Sequence, residues 1–195
     1  MLHLLPEKFP NMILGSASSR RKELLIKMGL KFKIHPLDID ESYPDSISAE
    51  NIAEHIARIK MQHLSSFYDS GKLLLTADTV VRFENEILGK PMNTENSIET
   101  LQKLSGKKHI VTSACVLNFQ NKLIGFSEST EVYFSKINND IINHYIKNHN
   151  PFDKAGSYGI QDWIGFIGVE KIVGSYNNVV GLPTSSLYKN LLKIL

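Results

Sequence analysis

Met12-Ile-Leu-Gly-Ser-Ala-Ser-Ser-Arg-Arg21 is an apolar run that ends at a glycine, crosses four small residues and enters a polar stretch with two arginines. Met12–Leu14 reads as a buried strand stopped by Gly15. Ser18 or Ser19 offers the N-cap of a helix with Leu24, Leu25 and Met28 on one face and Gly29 as its stop. A strand, a small-residue loop and the start of a helix therefore follow one another. Backbone N–H groups and the helix dipole attract anions at such a place, and arginine adds a rigid fork that matches phosphate oxygens. A capped helix with solvated arginines is the competing reading.

The same mixture of elements continues outward. Leu30, Phe32 and Ile34 alternate with polar residues, as in a half-buried strand. Beyond the acidic loop Asp38–Glu41, Ser48 is expected to cap a helix with Ile52, Ile56, Ile59 and Phe67 on one face. Leu73–Ala77 reads as an inner strand, and Val80–Phe83 and Ile87–Leu88 flank a hairpin turn at Glu84–Glu86. A helix is expected over Thr94–Ser105, with Gly106 as its stop. Two long strands are expected at Ile110–Phe119 and Leu123–Phe134, joined at Gln120-Asn121, and a helix at Ile141–Lys147. Residues 152–183 are rich in glycine, which lets backbone approach a ligand closely. A last helix follows Pro183, with Leu187, Leu191 and Leu195 on its face. Strands and helices mixed along the whole chain favour an α/β domain with a mixed sheet, with α+β as the alternative.

The 195 residues are 42% hydrophobic and 22% charged, with a formal net charge of +2. That suits one globular domain over residues 1–195 and argues against disorder. Lys and Arg are scattered, so no nucleic-acid partner is expected. The lone Cys115, in an apolar run, cannot form an internal disulfide and reads as a small buried hydrophobe. No stretch approaches the roughly 20 apolar residues of a membrane span. Met1–Lys8 reads as a ragged leader without the design of a signal peptide. A cytoplasmic protein is the expectation.

Further residues have the chemistry of a site. Asp78, in Ala77-Asp-Thr79 at the end of a strand, is suited to binding a hard cation or taking a proton from water. A turn aspartate capping a local N–H competes with that reading. Glu41 has the chemistry to share a magnesium ion with Asp78, or to be a solvated loop carboxylate. Lys60 falls inside the apolar arc of its helix, so it either snorkels outward or points at an anion. Lys90, in Gly89-Lys-Pro91, sits where proline fixes the backbone beside an ammonium. Asp153-Lys-Ala-Gly-Ser-Tyr-Gly-Ile-Gln161 ends in an amide that donates and accepts at once, which suits reading a base edge. The seven histidines make no zinc pattern, and a G-x-S-x-G elbow is absent.

The order of these segments carries more than any one of them. Ser16-x-Ser-x-Arg-Arg21, Glu41, Arg58-x-Lys60, Ala77-Asp-Thr-Val-Val81, Gly89-Lys-Pro91, Ser105-Gly106 with His109, Asp153-Lys-Ala-Gly156, Tyr158-Gly-Ile-Gln161 and Val179-Val-Gly-Leu-Pro183 together resemble the Maf family of nucleoside triphosphate pyrophosphatases. The resemblance spans about residues 12–192. It implies a mixed twisted sheet flanked by helices around a cleft, similar to inosine triphosphatase. It also implies a homodimer and a divalent cation, magnesium or manganese, with a nucleoside monophosphate and pyrophosphate as products. Asp78 matches the family's proton acceptor, and Glu41 with Asp78 the metal position. Lys60 and Lys90 match catalytic cations. Ser16, Arg20, Arg21 and Lys154 look like substrate contacts. Gln161, with Arg20 and Thr79, matches members acting on dTTP and UTP.

An amide complements the N–H and carbonyls of uracil or thymine, whereas a carboxylate suits the two adjacent donors of guanine. Two departures stand out: Ser19 where many members have proline, and Asp162-Trp-Ile-Gly165 in place of a more glycine-rich stretch, with Trp163 expected to narrow or cover a base pocket. The rival readings are the same chemistry on another nucleotide, such as 7-methylguanosine triphosphate, and a nucleotide- or nucleic-acid-binding regulator of cell division that needs no turnover.

Overall fold

The computed structural model describes residues 9–195; the leader read at Met1–Lys8 lies outside the described residues. Among these residues β1 (Met12–Gly15), β2 (Phe32–Ile34), β3 (Leu73–Phe83), β4 (Glu86–Leu88), β5 (Lys108–Phe119), β6 (Lys122–Phe134) and β7 (Val169–Val173) form a mixed seven-stranded sheet in the order β2-β1-β3-β5-β6-β7, with β4 paired to β3. The chain divides into two compact units. The first holds residues 9–78, 113–128 and 181–195, and the second residues 79–112 and 129–180.

In the first unit, β1 (Met12–Gly15) pairs in parallel with β2 (Phe32–Ile34) on one side and with the start of β3 (Leu73–Phe83) on the other. Its core includes Leu14, Leu25, Leu64, Leu75, Leu117 and Leu187, all essentially without exposed surface. Parallel strands buried on both faces read as continuous apolar runs, which is why Met12–Leu14 and Leu73–Leu75 were legible. Helix α1 (Ser19–Lys27) starts at Ser18, whose hydroxyl accepts from the Arg21 N–H. Gly29 takes a positive φ of 73° and ends the turn.

Helix α2 (Ile52–Ser65) departs from expectation at both ends. Asn51, not Ser48, is its N-cap residue; Ser48 instead supports the preceding turn by accepting from the Asn51 side chain. Phe67 lies beyond the helix and is exposed, packed edge-on to His63 and tilted against His35. The 3.6-residue count carried Phe67 onto the apolar face, but the chain leaves the helix at Ser66. In α7 (Thr184–Ile194), Leu187 and Leu191 are buried as expected, whereas Leu195 is exposed and Ile194 takes its place in the core.

In the second unit, the far half of β3 turns at Glu84 and pairs antiparallel with β4 (Glu86–Leu88), the expected hairpin. Helix α3 (Thr94–Leu104) is capped by Asn93, which accepts from the Asn96 N–H at 2.8 Å, and stops before Gly106 at φ 69°. The long strands β5 (Lys108–Phe119) and β6 (Lys122–Phe134) meet at Gln120-Asn121, both with positive φ, a pair suited to a tight hairpin turn. Helix α4 (Asn139–His149) buries Ile142, Tyr145 and Ile146 in a core with Leu101, Leu104, Val132, Tyr158 and Ile164.

The glycine-rich window holds more regular structure than its composition suggested. It contains two short 3-10 turns, α5 (Trp163–Gly168), β7 (Val169–Val173), which pairs antiparallel with β6, and α6 (Tyr176–Val180). Trp163 does not stand out as an open lid. Its ring lies parallel to His149 and tilted against His144, both on α4, and it packs on the core of this unit.

Candidate functional site

The first unit concentrates charge at the ends of its parallel strands. Lys60 is on the apolar face of α2, and its side chain is only 8% exposed. An ammonium at that depth needs partners, and two carboxylates supply them. Lys60 Nζ lies 2.7 Å from Asp78 Oδ1 and 2.8 Å from Glu41 Oε1. The choice left open by the sequence is thereby resolved: this lysine points at anions rather than snorkelling. Asp78 does not end a strand as expected: β3 runs on from Leu73 to Phe83 without a break, and Asp78 is buried midway along it just past the stretch paired with β1, whereas the Glu41 side chain is 46% exposed. The acidic loop thus contributes one carboxylate from the solvent side, and the strand contributes another from within.

Beside them, the strand-loop-helix segment is built around Arg21. Its guanidinium donates through Nε to the Gly181 carbonyl at 3.0 Å and through NH1 to Ser16 Oγ at 3.1 Å. Ser16 Oγ also accepts from the Ser18 N–H at 3.3 Å. Burial lowers the pKa of Arg21, and the charge of Asp78 works against that shift. Arg20, next to it, is half-buried. Gly15 is required here because a Cβ would come within 2.9 Å of both Leu64 and Thr76. The acceptor role of the Gly181 carbonyl is not visible in the sequence, where Val179-Val-Gly-Leu-Pro183 carries only the family resemblance.

Two carboxylates sharing one lysine also bear on a metal. Among the described residues, no group of three or more His, Cys, Asp or Glu side chains is placed to hold one. Magnesium, however, commonly takes one or two carboxylates and completes its shell with substrate phosphates and water. Glu41 and Asp78 fit that demand in donor type and proximity.

The other candidates lie in the second unit, at separate places on it. Thr79 follows Asp78 directly on β3 and is half-buried. Lys90 is exposed in the turn after β4 and lines a shallow cavity of about 290 Å³ with Pro91, Asn96 and Lys103. The loop Asp153–Gln161 is tied down from several sides. The Gly156 N–H donates to the Gly89 carbonyl, and at φ 71° a Cβ on Gly156 would press on Val81. Lys154 bonds Asp153 Oδ1 at 2.8 Å and lies 3.5 Å from Asp162 Oδ2. Gln161 is half-buried, and its Oε1 is covered without a hydrogen-bond partner.

Tyr158 Oη meets His109 Nε2 at 2.7 Å, and both rings pack edge-on against Phe134. Burial lowers the His109 pKa to about 4. Cys115 is buried and its thiol is pushed up to about 12, so it is a thiol held neutral. Sequence reasoning missed the 2.8 Å hydrogen bond from the Tyr145 hydroxyl to Asp162 Oδ2. Tyr145 lies on the apolar face of α4, and a buried tyrosine hydroxyl normally needs a partner, which was the available signal.

The architecture is an α/β fold with a mixed sheet. It is similar to the structure of a HAM1 protein from Coxiella burnetii, with a TM-score of 0.52 and 15% identity over 94% of this chain and 98% of that one. At that identity the likeness speaks for the fold, which agrees with the inosine triphosphatase-like architecture expected.

The family follows from sequence. The model of the Maf-like protein family matches residues 11–194, and the chain belongs to that family. It is 45% identical to a dTTP/UTP pyrophosphatase of Bacteroides fragilis strain YCH46, over 92% of this chain and 93% of the relative. It is 41% identical to a dTTP/UTP pyrophosphatase of Flavobacterium psychrophilum, over 97% and 98%. No helix among the described residues is long and apolar enough to cross a membrane.

Proposed function

We propose that the protein is a nucleoside triphosphate pyrophosphatase that hydrolyses dTTP and UTP to the monophosphate and pyrophosphate, as the names of its relatives state for those proteins. The observation that carries this reading is Asp78, buried midway along β3 and paired with Lys60 at 2.7 Å. Lys60 holds Oδ1, and Oδ2 takes a proton from water as its oxygen attacks the α-phosphorus. The bond from that phosphorus to the oxygen bridging to the β-phosphate breaks, and pyrophosphate leaves. A positioned base of this kind contributes roughly 10²–10⁴ in rate.

Glu41 and Asp78 are the residues that would hold a divalent cation, magnesium or manganese. Such an ion supplies charge neutralisation at the phosphates. Ser16, Arg20, Arg21, Lys90 and Lys154 are assigned to the triphosphate on residue type, since that substrate brings about four negative charges and cationic donors stabilise developing charge. Gln161, with Thr79, is assigned to the base. Its unpartnered Oε1 suits the N–H of uracil or thymine, and its amide N–H₂ suits a neighbouring carbonyl. From the family resemblance we also carry over a single catalytic domain, a homodimer and a cytoplasmic location. The test is product analysis on a panel of nucleoside triphosphates with either metal. Formation of diphosphate and inorganic phosphate contradicts the reading.

A further inference from the structure

The turn that carries Gln161 is fastened from below by one tyrosine and one carboxylate. The Asp162 N–H donates to the Gly159 carbonyl at 3.0 Å and closes the turn 159–162, with Gln161 in its third position. Tyr145 rises from α4, and its ring stacks on His149. Its hydroxyl donates to Asp162 Oδ2 at 2.8 Å and accepts from the Gly159 N–H at 3.1 Å. A phenol has one hydrogen to give, and both ends of this one are committed to the same turn. A Cβ on residue 159 would lie 2.6 Å from Asp162 Oδ2, so glycine is what lets the carboxylate sit against the backbone. The same Oδ2 faces Lys154 Nζ at 3.5 Å.

We propose that Tyr145 and Asp162 are positioning residues for nucleotide selection. Together they fix the turn that presents Gln161 and orient the ammonium of Lys154, so that one carboxylate links the base-reading amide to a phosphate-binding cation. This inference rests on the function proposed above.

A buried amide oxygen with no donor is costly to keep. Left to itself, the Gln161 side chain would turn toward any donor within reach. A turn closed by Gly159 and Asp162 and bolted to α4 removes that freedom and keeps Oε1 uncommitted. Preorganisation of this kind shows in affinity for the correct ligand, because the ordering cost is met before binding. The chemical step, on Asp78 and Lys60, does not depend on it.

The experiment compares Tyr145→Phe and Asp162→Asn with the wild-type full chain, using steady-state kinetics on dTTP and UTP and purine triphosphates as competitive inhibitors of dTTP turnover. Tyr145→Phe leaves the Gly159 N–H and Asp162 each one bond short. It is expected to raise KM for dTTP and UTP about tenfold with kcat within about twofold, while purine inhibition constants move less than about twofold. Asp162→Asn keeps the shape and removes one of the two charges facing Lys154 among the described residues, leaving Asp153 as its sole anion there, so it is expected to raise KM and the purine inhibition constants together. A structural brace alone would lower the amount of folded enzyme, and hence kcat, with KM unchanged. That result, or unchanged kinetics in both variants, overturns the inference while the proposed function stands. No turnover of dTTP or UTP by the wild-type protein overturns the reading beneath it, and the inference with it.

Discussion

Lys60 Nζ donates to Asp78 Oδ1 at 2.7 Å, and the two side chains are only 8% and 10% exposed. A buried pair of this kind is costly to break because the remaining charge has no solvent to turn to. Replacing Lys60 by Met leaves Asp78 and Glu41 as neighbouring carboxylates without their cation. The two carboxylates then repel each other, and Asp78 loses the donor that holds Oδ1. We expect a stability loss of about 2 kcal/mol, discounted for the exposure of Glu41. We also expect kcat to fall by at least about 100-fold. Urea denaturation and steady-state kinetics check the two parts separately.

Much of this region was legible in advance. Lys60 falls within the apolar arc of its helix by simple counting, and Asp78 interrupts the mostly apolar run of β3. Helix and strand periods therefore marked both as unusual charges before any geometry was known. Counting went wrong at the two ends of α2. Asn51 rather than Ser48 starts α2, and Phe67 lies past its end, because periodicity says which face a residue is on and not where the helix stops. The second unit was harder to read. Residues 152–183 fold into short pieces with no room for a repeating pattern, and the Tyr145–Asp162 bond joins residues 17 apart that no period relates.

His109 gives a pH dependence of definite sign. Burial holds its folded-state pKa at about 4, below the ordinary 6.5. The unfolded chain therefore binds the proton more readily between those values, and stability falls as pH drops through that window. Above pH 6.5 the contribution is fully present. The loss by pH 4 is about 3 kcal/mol. Denaturant midpoints at intervals from pH 7.5 to 4, compared with His109→Gln, which has no titrating ring, should show this slope in the wild type and a shallower one in the variant.

Gly165 marks a close approach on which the base-reading turn depends. A Cβ there would lie 1.9 Å from the Ile160 carbonyl oxygen, which is backbone and cannot swing aside. Gly165→Ala must push α5 away from the turn at Ile160. A loss of about 2 kcal/mol is expected, together with a raised KM for dTTP. Thermal denaturation and kinetics on the same preparation would reveal an unstrained alanine if neither changed.

Gln161→Glu replaces the amide's donor with a second acceptor. A uracil or thymine carbonyl then faces a carboxylate oxygen instead of an N–H. We expect kcat/KM for dTTP and UTP to drop about tenfold or more. Equal kinetics for the variant and the wild type would remove Gln161 from base selection.

The central claim is that Asp78 activates water for attack at the α-phosphorus. The most direct measurement is product analysis of dTTP and UTP hydrolysis by the wild type and by Asp78→Asn, with magnesium or manganese present. The account predicts monophosphate and pyrophosphate from the wild type and a loss of roughly 10²–10⁴ in rate for the variant, which keeps the shape of the aspartate but is a far weaker base. Undiminished turnover by Asp78→Asn, or release of inorganic phosphate and diphosphate by the wild type, would contradict it.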